Sequence, residues 1–326
     1  MTQLALAQTR IATCPYFDFL DDGDNHCNNY DMAPTGYVPL GEDSDDHQYQ
    51  LATVSGPYLD TVTAAEQSIP SLPKFMPSVQ RGSGKLFNGF APAWVAVQLG
   101  EVVSTTKLLT AEDVRRRLGV PSGTRVLLLA YGKDALIENI WPRRRDVLRR
   151  LSELRFDLVT SINYSIWDNH PHPEKIFNIK RSLIIYEEMQ EFGMPTVPHI
   201  YWFSNKTMHM WVEWLRANTT VEMVAVDAQT LTVGDWPLFL HELETFQQLL
   251  MRPVHFIITG PESPSRISEL KRVLPAFTLT NSAPCQRAWH RAAVNYVEGK
   301  IELSRPSQDL TKLFRHNIAV FERLLE

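Results

Sequence analysis

Leu158–Trp202 reads LVTSINYSIWDNHPHPEKIFNIKRSLIIYEEMQEFGMPTVPHIYW. The apolar run Leu158–Ile162 has the length of a buried strand and ends in Asn163, Tyr164 and Ser165. A polar loop punctuated by proline follows, carrying Trp167, Asp168, Asn169, His170 and His172. Next, Ile176, Ile179, Leu183, Tyr186 and Met189 recur at helical spacing, and Gly193 stands where a helix-ending glycine belongs. A second apolar run, Thr196–Ile200, ends in Tyr201 and Trp202. Strand, loop, helix and strand make one βαβ unit, which implies a parallel sheet covered on both faces.

The same rhythm extends in both directions. Upstream, Arg125–Tyr131 (RVLLLAY) is a clear buried strand, and Thr110–Leu118 reads as a helix capped by Thr110. Pro142 opens a further helix with the stripe Val147, Leu148, Leu151 and Leu154. Downstream, strands are expected at Val221–Val226, Val254–Thr259 and Ala276–Thr280. Helices are expected over Lys206–Arg216, Trp236–Leu250, Pro264–Leu274, Cys285–Val297 and Leu310–Leu325. Two weaker strands near residues 74 and 95 bring the strands to eight. No GxGxxG follows the first strong strand, so an α/β fold of the (β/α)8 TIM-like barrel type is expected over a dinucleotide-binding sheet.

The chain has 326 residues, 44% of them hydrophobic, and a net charge of −5. That balance fits a water-soluble fold and excludes bulk electrostatic wrapping of nucleic acid, though not a local basic strip. No run is long and apolar enough to span a bilayer, and no membrane partner is expected. Three cysteines (Cys14, Cys27, Cys285) make no disulfide framework, which points to a cytoplasmic setting. Acidic residues crowd the first fifty positions, and Cys14, His26, Cys27 and His47 match no zinc-knuckle spacing. Residues 1–69 are therefore expected to form an acidic capping segment and residues 70–326 the barrel. The glycine-rich turn Arg81–Lys85 lacks the spacing of a phosphate loop. No metal and no cofactor are expected.

In a barrel, function gathers at the C-terminal ends of the strands. Read in order, those ends offer Tyr131–Asp134, Asn163–Asp168, His199–Trp202, Asp227 with Gln229, Thr259–Glu262 and Asn281–Ser282. Carboxylates at Asp134, Asp168 and Asp227 could serve a glycosidic-bond reaction, which needs one group to meet the anomeric carbon and one for the leaving group. Asn163, Tyr164, His199, Tyr201, Trp202 and Gln229 could hold a sugar or a base drawn out of a helix. Each residue also has a plain structural reading, with Asp227 as a helix cap and Tyr201 and Trp202 as core. Arg143, Arg144 and Arg145 follow the Asp134 loop, and a phosphate backbone is the expected partner of that cluster.

The segment Leu127–Ala283 resembles a family of uncharacterised proteins from phages and mobile elements. The likeness lies in AYGKDALIENIW, SINYSIWDNHPHPEKIFNIKRS, EFGMPTVPHIYW and FIITGP. More distantly, the layout is similar to the tRNA-guanine transglycosylase barrel and its DNA base-exchanging relatives, and to phage-defence DNA glycosylases acting on glucosylated hydroxymethylcytosine. The resemblance implies an aspartate nucleophile at a strand end, with Asp227 in VAVDAQ as its counterpart. It also implies a base-reading residue on an earlier strand, at Asn163 or Asp168. The Cys-x-Cys-x-x-Cys zinc site of the transglycosylases is missing, which favours a nucleic acid other than tRNA. The expectation is a DNA glycosylase that leaves abasic sites in modified phage DNA. A non-catalytic nucleic-acid-binding barrel and a base-exchanging transglycosylase are the alternatives.

Overall fold

Eight parallel strands form one sheet in the order β5-β4-β3-β2-β1-β8-β7-β6. They are β1 (Phe75–Val79), β2 (Trp94–Gln98), β3 (Arg125–Leu129), β4 (Leu158–Thr160), β5 (Thr196–Val197), β6 (Met223–Asp227), β7 (His255–Thr259) and β8 (Phe277–Asn281). A parallel bridge between His199 and Ala225 brings the β5 edge against β6. Ile200 donates its N–H to Ala225 O (2.9 Å) and Ala225 its own to Pro198 O (2.9 Å), so the ring closes. The molecule is a (β/α)8 TIM-like barrel. This computed structural model describes residues 51–103, 109–167 and 170–326. Asp168, Asn169 and the segment holding Cys14, His26, Cys27 and His47 lie outside the described residues.

Two cores explain why the strands read as continuous apolar runs. Leu127 and Leu129 of β3 turn inward and meet Met76, Ala96, Leu158, Val197, Ala225 and Ile257 inside the barrel. Their neighbours Val126 and Leu128 turn outward, with Val95, Val97, Val159, Val224, Val226 and Ile258, onto the helices. Ile69 and Leu72 pack against the inner core before β1 begins, at the N-terminal end of the strands.

The outer layer holds α1 (Ala111–Leu118), α2 (Asp134–Glu138), α3 (Arg144–Ser152), α4 (His172–Glu191), α5 (Asn205–Ala217), α6 (Trp236–Leu250), α7 (Pro264–Val273), α8 (Ala283–Trp289) and α9 (Leu310–Leu324). Thr110 caps α1 by accepting from Asp113 N (3.2 Å), and Gly193 ends α4 in the left-handed region (φ 73°), both as the sequence predicts. Only a 3-10 turn, Ser83–Phe87, links β1 toward β2 on the helix side. There α9 supplies the missing layer, with Phe321 stacked on Phe75 (5.1 Å) and Phe314 edge-on to Phe87 (5.7 Å). No helix among the described residues is long and apolar enough to cross a membrane.

Two expectations are corrected. The helix expected over Cys285–Val297 stops at Trp289, and Ala293–Val297 becomes β9, paired antiparallel with β10 (Lys300–Ser304). Arg291 takes a left-handed φ of 53°, which ends the helix, and Glu298–Gly299 (φ 49° and 81°) make the tight turn of a hairpin. The other correction concerns α4, which was expected to present one apolar stripe. It is buried almost all round, including Glu174, Asn178, Lys180, Arg181 and Glu188. Residues 51–67 lie along its outer side: Leu51 and Val54 pack on Ile176 and Phe177, while Lys180 donates to Tyr58 O and Thr61 Oγ1.

Candidate active site

The inward register that fills the barrel continues past the last apolar layer. Tyr131 stands two residues beyond Leu129, His199 two beyond Val197, Asp227 two beyond Ala225 and Thr259 two beyond Ile257. Side chains alternate along a strand, so these four share the inner face and form a polar layer on top of an apolar plug. Above them opens a cavity of about 580 Å³, lined among others by Tyr131, Lys133, Asp134, Asn163, Ser165, Trp167, His199, Tyr201 and Asp227. Two of the three carboxylates singled out in the sequence, Asp134 and Asp227, thus share one cavity.

Asp227 terminates β6 and accepts from the backbone N–H of Gln229 (2.9 Å) and from its side-chain amide (3.2 Å). Burial raises its pKa above the ordinary carboxylate value, against the pull of those two bonds. None of the ion pairs among the described residues involves it. Gln229, expected as a substrate contact, thus holds the Asp227 carboxylate in place. Gly260 makes this clamp possible: at φ 122° its α-carbon approaches so closely that an added Cβ would stand 2.7 Å from Gln229 N and Cα.

His199 is fully enclosed, and neither ring nitrogen meets a hydrogen-bond partner among the described residues. Burial lowers its pKa to about 3, so the imidazole is neutral at any physiological pH. It offers one donor and one acceptor to whatever enters. Tyr131 meets it edge-on, with centroids 6.3 Å apart. Burial, and then the Asp227 carboxylate, hold the Tyr131 hydroxyl well above its ordinary pKa, which keeps it a donor. The side-chain carbonyl oxygen of Asn163 is likewise buried and meets no partner among the described residues. Asp134 is held differently, accepting from Ser165 Oγ (2.6 Å). Tyr201 lines the wall and shares a hydrogen bond with Ser182 Oγ (2.8 Å).

A second cavity of about 240 Å³ adjoins the first and shares Ile200, Tyr201, Val226 and Asp227 with it. Trp202 lines this side lobe, stacked on Phe246 (5.1 Å, 9°), with Leu238, Phe239 and Glu242 around it. Asp227 therefore stands where the two spaces meet.

Two expected contacts are placed elsewhere. Tyr164 is fully buried and faces away from the cavity, because the chain after β4 alternates and turns Asn163 and Ser165 inward. Its ring lies under the Arg181 guanidinium (3.8 Å) and against Trp141 (5.8 Å), so no base can stack there. The arginines Arg143–Arg145 do not sit at the cavity mouth. Arg144 binds Glu188 (3.0 Å) and Arg145 binds Glu191 (3.0 Å), more than four turns along α4 from its N-terminus. At 1.5 Å per residue that is roughly 24 Å down the barrel wall. The charges of Arg144 and Arg145 are spent on carboxylates of the neighbouring helix. Asp168 lies outside the described residues.

Tyr131 stands among the strand ends in the sequence but carries no expected role there, and the structure places it in the cavity wall. The signal was present in RVLLLAY, where counting by twos from Leu127 leads inward to it.

No curated protein matches the chain. Residues 96–267, more than half of the chain and all of the cavity lining, match the family described as "Domain of unknown function (DUF4417)", and the chain belongs to that family.

Proposed function

We propose that the cavity is the active site of an enzyme that cleaves the N-glycosidic bond of a nucleotide flipped out of DNA, with Asp227 facing the sugar. The observation that carries this reading is a half-buried carboxylate that forms no ion pair among the described residues, placed at the junction of two spaces. Departure of a base leaves an oxocarbenium-like sugar. The charged form of Asp227 is costly in the free protein, and a cation developing next to it removes that cost in the transition state only. Such an interaction accelerates the chemistry rather than tightening ground-state binding.

The remaining groups suit a base on one side. Neutral His199, the Tyr131 hydroxyl and the Asn163 side chain offer donors and acceptors to a base edge, and Tyr201 and Trp167 offer apolar wall. Asp134 faces the same space and can accept from an N–H of the base, while the Tyr131 hydroxyl can donate to the base as it departs. Water supplies a hydroxyl to the anomeric carbon, the base leaves with a proton, and an abasic site remains. The side lobe at Trp202 gives room for a bulky substituent, in line with the resemblance to glycosylases that act on glucosylated hydroxymethylcytosine. An antiviral role in the cytoplasm, with phage DNA as partner, follows from the same reading.

The test is direct. Purified protein is incubated with DNA carrying glucosylated hydroxymethylcytosine and with unmodified DNA, and abasic sites are counted. Abasic sites are expected in the modified DNA alone. Asp227→Asn, nearly isosteric, is expected to lower the rate by at least ~100-fold while leaving the urea midpoint within error. Full activity in that variant removes Asp227 from the mechanism, and intact bases in both DNAs remove the glycosylase reading.

A further inference from the structure

Across the barrel from the cavity, beside β1 and β8, a cleft of about 500 Å³ opens between the Ser83–Phe87 turn and the start of α9. Lys85, Arg291, Lys312 and Arg315 line it, all exposed. Only Lys312 has a carboxylate partner among the described residues, Asp309 at 3.5 Å. The other three cations stand without one, in a chain whose net charge is −5. Unlike Arg144 and Arg145, they carry charge that no neighbouring helix neutralises.

Like charges held together in a concave surface repel one another, and the repulsion is relieved when a polyanion enters. Arg315 is fixed over the Phe90 ring (5.8 Å), and Thr311 donates its hydroxyl to Lys85 O (3.1 Å), so two of the four are attached to ordered elements. The side-chain amide of Asn88 adds a neutral donor on the same wall.

We infer that this cleft binds the phosphodiester backbone of the nucleic acid whose flipped nucleotide occupies the cavity. The inference rests on the proposed function for the identity of the polyanion. It assigns to Lys85, Arg291, Lys312 and Arg315 the anchoring role that the sequence suggests for Arg143–Arg145. Two anchors on opposite sides of the barrel, one holding the backbone and one the base, would fix a bent strand.

The experiment measures binding of a fluorescein-labelled DNA duplex to the full chain by anisotropy over a range of salt concentrations. Each phosphate contact contributes about 0.9 to the slope of log affinity against log salt. Replacing two cations, in Lys85→Ala/Arg315→Ala, is expected to flatten that slope by about 2 and to weaken low-salt binding roughly tenfold or more. Arg145→Ala, at an exposed arginine already paired with Glu191, is the control and is expected to leave the slope unchanged. A double variant with the wild-type slope overturns the inference, as does a slope that Arg145→Ala flattens equally. Wild-type protein that binds no DNA also overturns it. Cleft-dependent binding without release of any base would refute the proposed function and leave the cleft standing. Base release with an unaltered slope would do the reverse. The urea midpoint of each variant confirms that the fold is retained.

Discussion

Gly260 has no functional group, yet the hydrogen bonding of Asp227 depends on it. Its φ of 122° lies in a region that side chains rarely adopt, and a Cβ there would meet Gln229 N at 2.7 Å. Gln229 in turn supplies both hydrogen bonds that hold the Asp227 carboxylate. Gly260→Ala is therefore expected to push the Asp227–Gln229 turn outward. It should destabilise the fold by about 1–3 kcal/mol through backbone strain. Base release should fall further than that loss explains, as measured at a temperature where the variant is fully folded. A variant with unchanged activity would show that the turn does not position the carboxylate. His199 makes the complementary point about charge. With a pKa near 3 it does not titrate between pH 5 and 9, so any inflection there belongs to another group. Asp227 and Asn163 were legible because they end strands. The clamp was not, because it joins two loops more than thirty residues apart.

At the scale of elements, α4 carries the largest difference between sequence and structure. Its apolar stripe at Ile176, Ile179, Leu183, Tyr186 and Met189 is visible in the sequence, and all five are buried. The burial of Glu174 and Lys180 is not visible, and that of Lys180 depends on Tyr58 and Thr61, more than a hundred positions away. A polar face ordinarily means solvent, and only the covering segment reverses that meaning here. Glu174 is 3% exposed, and its Oε2 has no partner among the described residues. Burial raises its pKa from 4.5 to about 7. A carboxyl whose folded pKa lies above its unfolded value binds more protons in the folded state between the two. Its contribution to stability is thus fully present below pH 4.5 and is lost as pH rises toward 7. Glu174→Gln keeps the shape without the ionisation. Urea unfolding should show the variant close to wild type at pH 4.5. At pH 8 it should be more stable by up to on the order of 3 kcal/mol. Equal pH dependence in the two proteins would place the titration elsewhere. The same long-range logic explains the misread end of Cys285–Val297, where Val294 is held as a strand by Asn317 of α9 (2.7 Å).

At the scale of the whole molecule, the barrel separates what keeps it folded from what it does. The N-terminal ends of the strands are closed by the chain leading into β1. Gln67 accepts from Thr196 N (2.9 Å) and donates to Thr196 O, Thr278 donates to Pro73 O (2.7 Å), and Ile69 and Leu72 pack on the inner core. The cavity and the side lobe both lie at the opposite end of the strands. Strands β1 to β7 each contribute apolar residues to the layer between, which is rigid and transmits little of a change at either side. Residues at the closed end should then influence stability without touching the proposed reaction. Gln67→Ala removes both bonds to Thr196 and leaves a buried backbone pair unsatisfied, at a cost of about 1–3 kcal/mol. The urea midpoint should fall accordingly, while kcat/KM for base release, measured well below the transition, should stay within a factor of two or so. Asp227→Asn should do the opposite, keeping the midpoint and losing kcat/KM. If Gln67→Ala lowers kcat/KM as much as it lowers stability, the two ends are coupled through the barrel wall. The division of labour argued from the layers would then be wrong.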